Sequence, residues 1–196
     1  MSVSPTQCWA YPTVERAARL LVSSWYWDRF ATCIDPDWVV LMPFGPRAAV
    51  RTVLGAVVRT GGHGRTAPSP VVSLIPDYGG FTALVQAVGA RHVQLPLIWV
   101  NIPVRDTSSG GGQYRTHPRL PVAEVAEHAR HGIIAVLLSS PHNPTGLVWE
   151  EGEIRALAQA AALGGGILLS DEVHSDLVHP GEVHTPAVRA AGDLAD

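Results

Sequence analysis

The 196-residue chain is expected to fold as an α/β protein, a three-layer α/β/α arrangement around a mainly parallel sheet. Three observations point there. Apolar residues alternate along the chain between runs at helical spacing and short β-rich runs. A hydrophobic content of 46% against 16% charged residues supplies ample core for a domain of this size. Finally, two segments dense in turn residues follow directly on two apolar strands, the place where ligands of such sheets gather.

The elements follow in order. Val14, Ala17, Ala18, Leu21, Val22 and Trp25 recur at helical spacing, with Thr13 placed to cap. Trp38–Met42 is a β-rich run between Pro36 and Pro43 and reads as the first strand. Ala49, Val53, Leu54, Val57 and Val58 mark a second helix, with Pro46 suited to its first turn. Val71–Ile75 reads as strand, Phe81–Val88 as helix and Arg91–Leu95 as strand. Residues 101–118 carry glycine, serine and proline without periodicity, which suggests a surface loop around Ser108–Gly112. Val122, Val125, Ala126 and Ala129 give another helix, and Ile133–Leu138 a buried strand. Ile154, Leu157, Ala158 and Ala161 give the next helix, and Ile167–Ser170 the fifth strand.

Charge and cysteine content narrow the function classes. The net charge is −3 with no basic stripe, so a nucleic-acid role has no electrostatic support. Cys8 and Cys33 are isolated and suggest reduced thiols rather than a disulfide framework. The opening residues lack the positive region of a secretory signal, and no apolar run reaches the ~18 residues of a membrane span. A cytoplasmic protein without a membrane or nucleic-acid partner is expected. All 14 basic residues are arginine, a composition that fits codon bias in a GC-rich genome.

Ser139–Gly146 reads SSPHNPTG and Ser170–Leu177 reads SDEVHSDL. Each follows one of the two strands Ile133–Leu138 and Ile167–Ser170. Together they resemble the cofactor-contacting loops of the fold-type-I, pyridoxal-phosphate-dependent aminotransferase class I/II family, and the second is closest to its cystathionine β-lyase (C–S lyase) branch. The resemblance implies roles for six residues. Asp171 would keep the pyridine nitrogen protonated, so that the ring can accept electrons. Asn143 would donate to the ring hydroxyl oxygen, and His174 would sit near the same oxygen. Tyr78, in Pro76–Phe81, would stack on the ring, although core packing explains a tyrosine there equally well. Gly45 and Arg47 stand at a helix start, where backbone N–H groups favour a phosphate. Pro46 has no N–H, so Arg47 and Ala48 would have to donate.

Other constellations fail. His174, His179 and His184 recur every five residues, which fits neither a helical face nor a zinc spacing, and they read as surface or loop histidines. Gly110–Gly112 and Gly164–Gly166 lack the residues of a P-loop or dinucleotide fingerprint. No G-x-S-x-G frame is present.

The family holds its cofactor as a Schiff base to a lysine, and that amine also moves the substrate proton. A guanidinium can do neither. The resemblance therefore implies no catalytic residue here, and pyridoxal phosphate bound non-covalently at best. It further implies a partial large domain over residues 11–196, incomplete at both ends, an N-terminal extension over 1–10, and a small C-terminal domain lying outside the sequence. The family sheet has seven strands, so the five read here would leave Ile167–Ser170 as an apolar edge. The expected function is that of an incomplete relative of C–S β-lyases acting on small amino acids such as cysteine conjugates or cystathionine, inactive alone and associating as a homo-oligomer. A split enzyme completed by a second chain and a non-catalytic binding or regulatory protein remain as alternatives, and the residues do not separate elimination from transamination.

Overall fold

The computed structural model describes residues 16–61, 68, 70–104 and 113–192. The expected cap at Thr13, the helical position Val14, Cys8, the 1–10 extension and the loop at 108–112 lie outside them. The chain divides into two compact units, Met1–Pro43 and Phe44–Asp196.

In the first unit, helix α1 spans Arg16–Phe30. Trp25 meets Phe30 edge-on at 5.2 Å, and Tyr26 lies 5.8 Å from the same ring. The strand expected at Trp38–Met42 does not form. Pro36–Trp38 is instead a 3-10 turn, closed by the Asp35 carboxylate accepting from the Asp37 N–H at 2.8 Å. Val39 is extended, but no strand of the described residues pairs with residues 39–42, and Val40 is 70% exposed. β-Branched residues favour a strand only where a neighbouring strand offers hydrogen bonds and packing. Cys33 is an exposed free thiol.

The second unit opens with α2, Gly45–Gly61. Then follow β1 (Pro70–Ile75), α3 (Gly80–Ala87), β2 (Arg91–Pro96), β3 (Ile98–Val104), β4 (Gln113–Arg119), α4 (Val122–Arg130), β5 (Ala135–Ser139), α5 (Glu151–Ala162), β6 (Ile167–Asp171) and α6 (Ala187–Ala191). Strands β2-β1-β5-β6 form one parallel sheet in that order. Among the described residues, β2 and β6 are its two edges.

The strands alternate between two cores, as a period of two requires. Val72, Leu74, Val136 and Leu138 pack with Val125, Ala129, Ile154, Leu157 and Ala161 of α4 and α5. Val71, Ala135 and Leu137 pack with Leu54 of α2 and with Phe81, Leu84 and Val85 of α3. Helices thus cover both faces of the sheet, and the expected α/β/α layering holds. Gly164 permits the closest approach after α5, since a Cβ there would run into the Ala129 carbonyl of α4.

The stretch read as a loop, 101–118, contains most of an antiparallel hairpin, β3 with β4, in register from Ile98 opposite Arg119. Pro103 and Pro118 sit within its strands. Trp99, Asn101, Pro103 and Tyr114 are exposed while Val100, Ile102 and His117 are only half-buried, so the inward face of the hairpin leaves a weaker mark on the sequence than strands buried on both faces.

Candidate functional site

Three neighbouring parallel strands deliver their carboxyl ends to one place. Strand β1 ends at Ile75 and leads to Tyr78. Strands β5 and β6 end side by side, with Ser139 opposite Asp171 and the Ser140 N–H donating to the Asp171 carbonyl at 3.0 Å. The start of α2 completes the ring. The resulting cavity, about 270 Å³, is lined by Phe44, Pro46, Arg47, Tyr78, Ser139, Asn143, Asp171, Val173 and His174. Five of the six residues expected from the sequence meet there. Gly45 does not line it; its φ of +76°, following Phe44 at +72°, shapes the turn into α2 instead.

Each wall has a local cause. The Asn143 loop is bound back onto its own strand, because Ser139 Oγ donates to the Pro141 carbonyl and accepts from the Asn143 N–H, both at 3.2 Å. Trp149 Nε1 donates to the Ser139 carbonyl at 3.0 Å from a ring that is 1% exposed. Tyr78 packs edge-on against buried Phe81 at 5.5 Å while lining the cavity, so core packing and pocket lining are served by one ring. Gly80 is required for that pose, since a Cβ there would overlap the Tyr78 ring. Asp171 Oδ1 accepts from the Val173 N–H at 3.3 Å, which turns the chain toward His174.

Glu172 faces a different task. Its carboxylate accepts from Ser170 Oγ at 2.9 Å, from the Ala187 N–H at 2.7 Å and from His184 Nε2 at 3.2 Å. It therefore staples the end of β6 to the start of α6. His184 stands in a loop, one of the two expected readings, but is 3% exposed rather than on the surface, because the loop buries it against a carboxylate. Replacing Glu172 by Gln should cost about 1 kcal/mol, the difference between a charged and a neutral acceptor. Urea unfolding monitors this directly, and an unchanged midpoint would remove the staple from the account.

Ser139, Phe44, Val173, Trp149 and Glu172 were not singled out by the sequence. Ser139, Glu172 and Val173 stand inside the motif strings, so their positions were visible and only their contacts were not. A second, more open groove of about 930 Å³ runs along α2 past Arg47, Arg51 and Arg59 to Leu84 and Val88 of α3. Only Phe44 and Arg47 belong to both, so the carboxylate, amide and imidazole cluster is confined to the smaller cavity. Among the described residues no group of metal-ligating side chains forms, and no helix is long and apolar enough to cross a membrane.

The donor set suits pyridoxal phosphate. A carboxylate, an amide and an imidazole face one cavity with a phenol ring on its wall and a guanidinium at a helix start. Those groups match a cationic ring nitrogen, a phenolic oxygen, an aromatic face and a phosphate. The cavity falls just below the ~300 Å³ at which sites for drug-sized molecules begin, so it suits a smaller ligand.

Comparison with known proteins agrees. Residues 121–194 match the family described as aminotransferase class I and II. The chain is 29% identical over 157 residues to a probable N-succinyldiaminopimelate aminotransferase (DapC) of Mycobacterium tuberculosis, covering 80% of this chain and 34% of that one. It is 24% identical over 186 residues to the cystathionine beta-lyase PatB of Bacillus subtilis, covering 95% and 43%. The chain thus spans well under half the length of these relatives. The PLP-bound C-S lyase from Staphylococcus hominis shares the fold, with a TM-score of 0.72 at 23% identity over 94% of this chain and 42% of that one. Over residues 121–194 the chain is thus similar to the aminotransferase class I and II family, and it shares the fold of the C-S lyase.

Proposed function

We propose that these 196 residues form the ring- and phosphate-binding part of a pyridoxal-phosphate site that acts on a small amino acid. The convergence of Arg47, Tyr78, Asn143, Asp171 and His174 on one cavity supports this most directly. Asp171 would hold a proton on the ring nitrogen. Asn143 and His174 would hydrogen-bond the ring oxygen, Tyr78 would cover one face, and Arg47 would take the phosphate with the N–H groups of Arg47 and Ala48 at the start of α2. Bound there, the cofactor supplies an electron sink for a carbanion at the amino acid Cα. The likeness to C–S lyases favours elimination of a β-sulfur substituent from a cysteine conjugate or cystathionine. Transamination starts from the same carbanion and uses the same five residues.

The base at Cα is not among these residues. With no lysine present, the amine that anchors the cofactor and moves the substrate proton lies outside these 196 residues. A second chain that supplies it, as part of a homo-oligomer or a complementing polypeptide, fits this division of labour. The same lysine-free sequence favours, as the second reading, a protein that binds the cofactor without catalysis.

Trapping separates these. After incubation with pyridoxal phosphate and borohydride reduction, peptide mass spectrometry should find no adduct on any internal residue, the α-amino group being the sole primary amine. Mixing with a polypeptide that carries a lysine-bearing strand and small domain should place the adduct on that polypeptide and release pyruvate from a cysteine S-conjugate. An internal adduct on this chain, or pyruvate from it alone, would overturn the proposal. Cofactor binding that no such polypeptide converts into pyruvate release would establish the binding-only reading.

A further inference from the structure

We propose that His142 is a positioning residue, whose proton governs how the Asn143 loop is held against the end of β1 and thereby where the Asn143 amide stands in the cavity. The inference rests on the proposed function only for its consequence in cofactor binding; the coupling itself belongs to the protein alone.

His142 is 2% exposed and lies edge-on to Trp149 at 5.2 Å. Its N–H donates to the Leu147 carbonyl at 2.8 Å, and its carbonyl accepts from the Gly146 N–H at 2.7 Å, which closes the turn around Asn143. Its ring Nδ1 is 2.8 Å from Thr145 Oγ1. That hydroxyl also accepts from the Leu147 N–H at 3.4 Å, and the Pro76 and Leu74 carbonyls act on the ring as acceptors, so a ring proton turned to those carbonyls leaves Nδ1 to accept from the Thr145 hydroxyl. The neutral ring then carries its proton on Nε2, an assignment that follows from the bonding pattern.

Nε2 is buried without a hydrogen bond of good geometry, and so is Oδ2 of Asp77 in the loop after β1. The carbonyls of Pro76 and Leu74 and the Asp77 charge favour a proton on the ring, but burial outweighs them and lowers the pKa below the ordinary 6.5. The groups facing His142 are therefore Asp77, the two carbonyls of the β1 end, Thr145 on its own loop and the uncharged Trp149. Asp77 also acts on His92 of β2, itself held down by burial and paired with Ser73 Oγ at 2.9 Å.

The sign follows. Above 6.5 the ring is neutral in both folded and unfolded chains, and the Thr145 bond stands. As pH falls through the depressed folded pKa, Nδ1 becomes a donor, the Thr145 hydroxyl must turn its own hydrogen away and accept instead, and the imidazolium is drawn toward Asp77. The pull of Asp77 on the ring then strengthens while the Thr145 bond reverses, and the Asn143 turn held by that bond shifts with them.

Cofactor-free NMR tests the coupling. The His142 ring and the Asn143 side-chain amide should titrate with one midpoint below 6.5. Asp77→Asn should lower that midpoint, and Thr145→Val should uncouple the amide from the ring. In His142→Phe, which keeps the contact with Trp149, the amide should stop titrating. An Asn143 amide that is pH-invariant, or that titrates unchanged in His142→Phe, would overturn the proposal; should that variant fail to fold, Thr145→Val and Asp77→Asn decide it alone. The consequence is read by comparing pyridoxal phosphate with its 3-deoxy analogue. His142→Phe should weaken the first by about three- to tenfold, the scale of one neutral hydrogen bond, and leave the second unchanged. Equal losses would mean a merely structural histidine. Failure of the unaltered protein to bind pyridoxal phosphate would sink the pocket assignment instead, while the NMR result would still decide the coupling.

Discussion

Replacing Asp171 by alanine should weaken non-covalent binding of pyridoxal phosphate by about 1.5–3 kcal/mol, roughly 10- to 150-fold, the worth of a hydrogen bond to a charged group. The carboxylate lines the cavity at the end of β6 and, in the proposed pose, faces the ring nitrogen. Removing it costs the proton on that nitrogen as well as the contact. Asn143→Ala should cost less, about 0.5–1.5 kcal/mol, because its donor is neutral. Fluorescence titration of both variants against the unaltered protein gives the ranking. The Asp171 side chain also accepts from the Val173 N–H, so the melting temperature is the control for a loosened turn. Equal affinity of Asp171→Ala and the unaltered protein would remove the case for a retained site.

The alternation of Val71–Ile75 and Ile133–Leu138 with helical runs was legible because those strands are buried between two helix layers, and half-buried Ile167–Ser170 at the edge carried the same apolar pattern. Burial on both faces leaves a mark that a single sequence carries. The site was legible for the same reason: Asn143 and Asp171 follow two adjacent strands of one parallel sheet, and the sheet brings them together whatever the loops do. Where burial is absent the signal fails. The hairpin of β3 and β4 is exposed on one face, only half-buried over most of the other and interrupted by two prolines, so its pattern reads as a loop. Trp38–Met42 fails in the opposite sense, since its residues suit a strand but the Asp35 side chain closes a turn ahead of it. Bonds between side chain and backbone across sequence distance, such as Glu172 to Ala187 or Trp149 to Ser139, leave no local trace at all.

Trp149 carries the largest expected effect on stability. Its ring is buried in the core beside Leu157 and Leu138, and truncation to alanine removes both that contact area and the donor to the Ser139 carbonyl. A destabilisation of about 3–5 kcal/mol is expected from the ring alone. Trp149→Phe separates the two contributions, because it retains most of the bulk and leaves a buried carbonyl with one partner fewer, at about 1–2 kcal/mol. Ser139 is also the residue whose Oγ accepts from the Asn143 N–H, so the Phe variant should weaken pyridoxal phosphate more than its loss of stability alone accounts for. Urea unfolding and cofactor titration on the same samples make that comparison. If Trp149→Phe shifts the unfolding midpoint yet binds the cofactor as tightly as the unaltered protein, the tryptophan serves the core and not the loop. If both fall together, the bond from Trp149 to Ser139 is what carries the rigidity of the core into the cavity.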